Sequence, residues 1–200
     1  MEYIGDVIYD YGGGLYINMT NRCPCRCDFC IRTMTDSLGE ADSLWLKREP
    51  SADELISMFD DRDLSRYDEV VFCGYGEPTE RIDTMFSLCD HIRKTTDLKI
   101  RLNTNGLSDL INQKPTAEEI AGKLDAVSVS LNAPTAQKYL KLCHPDYGIG
   151  AFEAILDFTR EIKQYMDDVT MSVVSSSISR EDIEECRKIA GSLGVKFRVR

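Results

Sequence analysis

The sequence predicts an α/β fold, a partial (β/α)6 barrel of parallel strands. Three observations carry that expectation. Six short apolar runs of strand length alternate with segments of helical period. Alternation of this kind implies parallel strands joined by right-handed crossovers. Six units fall short of the eight that close a barrel, so the sheet should stay open.

Taken in order, residues 1–14 end in Asp10-Tyr11-Gly12-Gly13-Gly14, read as a flexible lead-in or turn. The lysine and spaced glycines of a phosphate loop do not follow. Leu15–Met19 is the first buried strand, and it runs straight into a cysteine-rich loop. Residues 31–50 are polar and irregular, suggesting a helix broken by a surface excursion, with Trp45 as a packing residue. Ser51 and Glu54 form a capping box before a helix whose apolar face is Ala52, Leu55, Ile56 and Phe59. The second strand, Glu69–Cys73, ends in Gly74-Tyr75-Gly76-Glu77-Pro78-Thr79. A helix follows with Cys89 on its core side and His91 on the solvent side.

Lys99–Leu102 is the third strand, closing in Asn103-Thr104-Asn105-Gly106, and Thr116 should cap a short helix. Ala126–Leu131 is the fourth, ending at Asn132, and a long connection holding Cys143 and His144 leads to a helix around Phe152–Met166. The fifth strand spans Val169–Ser175. Ser179 caps the next helix, Gly194 stops it, and Val195–Arg200 is the last strand. The strands read as nearly all apolar, as expected where helices cover a sheet. Residues 1–200 are therefore expected to form a single domain.

A net charge of −10 argues against a general nucleic-acid or anionic-membrane surface, although Arg22, Arg26 and Arg32 crowd the cysteine loop. Met1–Asp10 lacks the basic start of a secretion signal, and no apolar run approaches membrane-span length, so cytoplasmic localisation is expected.

The chemistry concentrates in Asn21-Arg22-Cys23-Pro24-Cys25-Arg26-Cys27-Asp28-Phe29-Cys30, which holds four of the eight cysteines. Cys23, Cys27 and Cys30 have the spacing C-x3-C-x2-C, and a short loop can aim three thiolates at one 4Fe–4S cluster. Such a cluster ordinarily takes four cysteines, so three leave one iron open for chemistry. Structural zinc on Cys23, Cys25, Cys27 and Cys30 is the bland alternative, but zinc sites usually join two separated pairs. Cys25 reads as a spectator thiol. The loop follows the first strand, at the C-terminal strand ends where parallel α/β folds place active sites.

This spacing, with Phe29 before the last cysteine, resembles the signature loop of the radical SAM enzymes, and the resemblance extends over essentially the whole chain. It implies a 4Fe–4S cluster held by Cys23, Cys27 and Cys30, with S-adenosylmethionine on the open iron. Tyr75-Gly76-Glu77-Pro78 matches the Gly-Gly-Glu-Pro segment that meets the methionine amino group, with Tyr75 in place of the first glycine. Asn103 lies in an element similar to the Thr-Asn-Gly that faces the substrate cavity. Ser130 and Asn132 fall at the ribose and carboxylate contacts, and Val173 and Val174 flank the adenine, whose edge Phe29 would meet through its backbone.

Leu15–Arg32, Leu44-Trp45-Leu46 and Phe72–Thr79 look like the subgroup associated with TatD-type nucleases, which has no assigned substrate. The resemblance implies reductive cleavage of S-adenosylmethionine to a 5′-deoxyadenosyl radical that abstracts hydrogen from a substrate. It also implies a one-electron donor such as flavodoxin or ferredoxin. An open edge with no covering extension suggests a large substrate, a protein or peptide segment, or a partner subunit. His144 is a candidate acid or base, and lone loop histidines are more often idle. A non-catalytic iron–sulfur electron-transfer module is the competing reading.

Overall fold

The computed structural model describes residues 3–200, so Met1 and Glu2 of the expected lead-in lie outside the described residues. Seven strands follow one another in chain order in a sheet that stays open. The fold is the α/β class expected, with parallel strands apart from the first. The chain divides into two compact units, residues 1–23 with 31–102 and residues 24–30 with 103–200.

In the first unit, β1 (Ile8–Tyr11) pairs antiparallel with β2 (Gly14–Ile17), with Ile8 opposite Ile17 and Tyr11 opposite Gly14. The expected lead-in is therefore a strand and a tight turn. Gly12 and Gly13 both have positive φ, 57° and 85°, which is what a two-residue hairpin turn demands. The outward carbonyls of β1 are occupied: Arg62 donates to Ile8 O and Glu40 N to Asp10 O. β3 (Glu69–Phe72) lies parallel to β2, and β4 (Lys99–Thr104) parallel to β3.

Helix α1 (Ala52–Asp60) and helix α2 (Ile82–Thr95) follow β2 and β3, and their buried faces include Leu55, Phe59, Met85 and Ile92. Cys89 is in the core as expected. His91, placed on the solvent side of α2, has its Nε2 2.6 Å from Asp60 Oδ1 and its ring edge-on to Phe59.

The helix expected within residues 31–50 is absent, apart from one 3-10 turn at Ile31–Thr33. Long-range partners take the backbone groups a helix would use. Asp6 Oδ2 accepts from Asp42 N and Ser43 N, at 2.6 and 2.8 Å, and Asn21 Oδ1 accepts from Leu46 N at 3.1 Å. Side-chain competition of this kind favours irregular chain over helix. Trp45 packs edge-on against Tyr75, with ring centroids 5.1 Å apart.

In the second unit, α3 (Ser108–Asn112) and α4 (Ala117–Ala121) precede β5 (Ala126–Ser130). Thr116 does not cap α4, because its hydroxyl turns to Ser108 Oγ and Asp109 Oδ1. The long connection after β5 contains a helix, α5 (Ala136–Cys143), capped by Thr135. α6 (Ala151–Ile162), β6 (Val169–Val173), α7 (Arg180–Ser192) and β7 (Lys196–Val199) complete the unit, with Ser179 capping α7 and Gly194 at φ 68° ending it. β5, β6 and β7 run parallel. They are less apolar than expected. Ser128, Ser130, Thr170 and Ser172 alternate with Val127, Val129, Met171 and Val173, giving the sheet a hydroxyl face and an apolar face.

The capping box at α1 yields an acid-stability prediction. Arg48 first, and then the Ser51 N–H, hold the Glu54 carboxyl down to about 2. A depressed carboxylate contributes stability above its unfolded value, and that contribution is lost as pH falls toward 2. Glu54→Gln is therefore expected to lower the melting temperature at pH 6 and to narrow that difference progressively toward pH 2, read by circular dichroism.

Candidate active site

Each unit carries part of the sequence-predicted set. In the first, β2 leads into Asn18–Cys23, and Asn18 is buried with its amide spent: Nδ2 donates to Leu44 O at 2.7 Å and to Asp6 O at 3.2 Å. The Gly74–Thr79 segment lies against this stretch. A Cβ on Gly74 would fall 2.1 Å from Asn18 Oδ1, and one on Gly76 would fall 2.3 Å from Thr20 O and 2.5 Å from Arg22 O. Only glycine permits that approach. Glu77 N then donates to Arg22 O at 2.8 Å.

Tyr75, the departure from the double-glycine pattern, is buried beside Tyr9 and Leu44, and its hydroxyl donates to Thr35 O. Its side chain is thus committed to the core. Glu77 is buried too, and its Oε1 accepts from Thr79 N at 3.2 Å and Thr79 Oγ1 at 2.9 Å. That carboxylate caps the 3-10 turn Pro78–Arg81.

The arginines near the loop are engaged within their own units. Arg22 meets Glu49 at 2.8 Å and Glu80 at 3.3 Å, and Arg81 also meets Glu49 at 2.8 Å. Burial opposes the charge on Glu49, but its bonds from Arg22 and Thr20, with Arg81 nearby, outweigh it and lower the carboxyl's pKa. Arg32 reaches the carbonyls of Asn21 and Tyr75, at 3.4 and 3.5 Å.

In the second unit, residues Pro24–Cys30 are strapped to the end of α5. Arg26 N donates to Cys143 O at 2.9 Å, Asp28 N to Leu142 O at 3.0 Å, and Asp146 N to Pro24 O at 2.8 Å. An ion pair and a histidine–carboxylate contact flank these bonds. Arg26 meets Asp146, and His144 Nε2 lies 2.8 Å from Asp28 Oδ1. His144 caps α5 in the left-handed region, at φ 44°. Its observed role is therefore to fasten the loop, a role sequence reasoning missed because its partner is 116 residues away.

Cys25 is buried with Sγ 3.6 Å from the Tyr139 hydroxyl, whereas Cys23, Cys27 and Cys30 are half-buried. Among the described residues no three His, Cys, Asp or Glu side chains are gathered into a metal-holding group. The donor chemistry of the loop nevertheless suits an iron–sulfur cluster: three partly exposed thiols at the required spacing, with the fourth turned into the core.

The remaining strand-end residues divide. Thr104 Oγ1 accepts from Gly106 N at 3.0 Å and Asn105 Oδ1 from Leu107 N at 2.8 Å, so these two serve the turn after β4, while Asn103 is half-buried. Ser130 Oγ accepts from Arg200 at 3.2 Å. Asn132 sits at φ 60°, buried, and its Oδ1 has no partner. Ser172 Oγ, which sequence reasoning passed over inside an apolar-looking strand, is buried and unpartnered as well. Unsatisfied buried acceptors are rare in folded proteins, and the Asn132 oxygen suits a ligand that brings a hydroxyl or amine. Phe29 and Val174 are half-buried, the latter directly after β6.

Residues 17–190 match the family model of the radical SAM superfamily. Over 188 residues the chain is 26% identical to a tungsten-containing aldehyde ferredoxin oxidoreductase cofactor-modifying protein of Pyrococcus furiosus, covering 90% of this chain and 49% of that one. Among solved structures, a radical SAM methyltransferase from Sphaerobacter thermophilus superposes with TM-score 0.66 at 19% identity, covering 96% of this chain and 57% of the other. Streptococcus suis SuiB bound to S-adenosylmethionine superposes with TM-score 0.69 at 17% identity, covering 94% and 39%. The chain thus spans about half the length of the curated relative it matches. These structural likenesses are of fold.

Loosening the strap should be visible at its amides. A His144→Ala, Asp146→Ala double variant is expected to speed hydrogen exchange at the Arg26 and Asp28 amides by roughly two- to five-fold, the range that surface ion pairs support. Gly76→Ala is expected to lower stability by about 1–3 kcal/mol through overpacking, measured by urea denaturation.

Proposed function

This chain belongs to the radical SAM superfamily, and from that premise we propose that Cys23, Cys27 and Cys30 hold its 4Fe–4S cluster and that residues 1–200 act as one catalytic domain. When bound, the cluster and S-adenosylmethionine supply a 5′-deoxyadenosyl radical that abstracts hydrogen from the substrate. The protein's own contribution is to hold, orient and shield these groups. The observation that carries the reading is the loop itself: three half-buried thiols at C-x3-C-x2-C spacing, directly after β2, with Cys25 withdrawn to Tyr139.

For S-adenosylmethionine the proposed contacts are Phe29, Tyr75, Gly76, Glu77, Asn103, Ser130, Asn132 and Val174. With the Tyr75 side chain in the core and the Glu77 carboxylate capping its turn, backbone carbonyls of Tyr75–Glu77 are the acceptors for the methionine amino group. Asn132 Oδ1 accepts from a ribose hydroxyl, which would satisfy an oxygen the fold leaves unpaired. Val174 offers apolar surface to the adenine.

The superfamily requires a reductant, and we take it to be a flavodoxin or ferredoxin in the cytoplasm. No helix among the described residues is long and apolar enough to cross a membrane. The subgroup associated with TatD-type nucleases is the proposed placement within the superfamily, and a protein or peptide segment the proposed kind of substrate.

Anaerobic reconstitution with iron and sulfide, reduction, and addition of S-adenosylmethionine should release 5′-deoxyadenosine, detected by mass spectrometry. Cys27→Ala is expected to abolish it. A cluster that forms but gives no product with several reductants would favour an electron-transfer module instead.

A further inference from the structure

The hydroxyl face of β5, β6 and β7 carries a feature that the cofactor assignment does not use. In the parallel register Ser130 stands beside Ser172, and Ser172 beside Arg198. Registered neighbours project from the same face of a sheet, so these three side chains form one row. The adjacent row, Met171 and Phe197, occupies the other face, where the Arg187 guanidinium of α7 lies 4.9 Å from the centre of the Phe197 ring. Arg198 therefore points away from α7, onto the hydroxyl face.

The charges on this face are unequally matched. Lys196, two residues earlier on β7, is paired with Asp168 at 2.9 Å. Arg200, two residues later, donates to Ser130 Oγ at 3.2 Å. No acid pairs with Arg198 among the described residues, although the chain carries 34 acidic residues against 24 basic ones. Beside it, Ser172 is fully buried and its Oγ has no partner. An unmatched guanidinium and an unspent hydroxyl in one row have complementary needs. A guanidinium presents a planar fork of donors to two oxygens, and a hydroxyl adds a third.

We propose that Arg198 and Ser172 bind an anionic group of the substrate, a carboxylate or a phosphate. The residues assigned to the cofactor on these strands are Ser130, Asn132 and Val174. Ser130 is already engaged by Arg200, and Val174 lies two residues beyond Ser172 along the chain. The anion seat is thus one step deeper along β6 than the proposed adenine contact. The assignment of the anion to the substrate rests on the radical SAM reading, whereas the seat itself does not.

The test is anaerobic calorimetric titration of the cluster-loaded protein with succinate and with inorganic phosphate, each with and without S-adenosylmethionine. One saturable site is expected for at least one of the two probes, persisting in saturating S-adenosylmethionine. The preferred probe tells carboxylate from phosphate. Arg198→Gln should weaken that site roughly ten-fold or more, the loss expected for a charge-assisted pair, and Ser172→Ala should weaken it less. Both variants should bind S-adenosylmethionine as the parent does. Arg198 is exposed, so its replacement does not disturb the core.

Absence of saturable binding by either probe, or unchanged binding in Arg198→Gln, overturns the seat. Displacement of the anion by S-adenosylmethionine, with Arg198→Gln weakening both alike, overturns the assignment to substrate and gives the seat to the cofactor. Release of 5′-deoxyadenosine is measured independently, so the two readings fail separately.

Discussion

A cysteine-rich loop has little regular structure with which to hold itself, and here the end of α5 supplies the missing partner. Three backbone bonds, Arg26 to Cys143, Asp28 to Leu142 and Asp146 to Pro24, treat the loop as though it were a short strand. They satisfy the Arg26 and Asp28 amides, and the Cys27 thiol lies 3.9 Å from the Cys143 carbonyl on the same strap. The buried pairing of Cys25 with Tyr139 pins the same segment from within. Burial and the neighbouring thiols raise the Tyr139 pKa, so the hydroxyl stays protonated in that contact. The loop's order is thus inherited from a helix more than a hundred residues downstream.

The first unit answers a different constraint, that of backbone meeting backbone. Gly74 and Gly76 lie so near Asn18, Thr20 and Arg22 that a single methyl group would collide with main chain or with a fixed amide. Asn18 secures the arrangement by reaching carbonyl or amide groups of three other segments, at Asp6, Leu44 and Tyr75. The tyrosine between the glycines fits because its bulk departs toward Tyr9 and Leu44. A residue that looks like a break in a motif is here a core residue whose main chain keeps the motif's place.

What the sequence made legible follows from the range of the interactions involved. The parallel strands, the capping box at Ser51, the cap at Ser179 and the stop at Gly194 depend on residues within one turn or one strand, and local pattern is enough for them. β1 was also within reach, since Gly12-Gly13 between two short β-favouring runs is a hairpin signal. It was obscured by the third glycine, which reads as flexibility. α5 is short and its apolar face is thin, with only Tyr139 and Cys143 buried. The irregular course of residues 31–50 and the fastening by His144 could not be read at all, because Asp6, Asn21 and Asp28 are distant partners. Ser172 was hidden by averaging. A strand that alternates hydroxyl and aliphatic residues looks apolar until its two faces are separated.

The hairpin at the start of the chain has a consequence for how the protein behaves in a crowded solution. A terminal strand normally offers a row of bare amides and carbonyls on which another chain can crystallise into cross-β order. On β1 the two outward carbonyls are already taken, Ile8 by the Arg62 guanidinium and Asp10 by the Glu40 amide. The strand is only four residues long. An incoming chain would have to displace both bonds before it could pair there, so the start of the sheet carries one fewer route to aggregation.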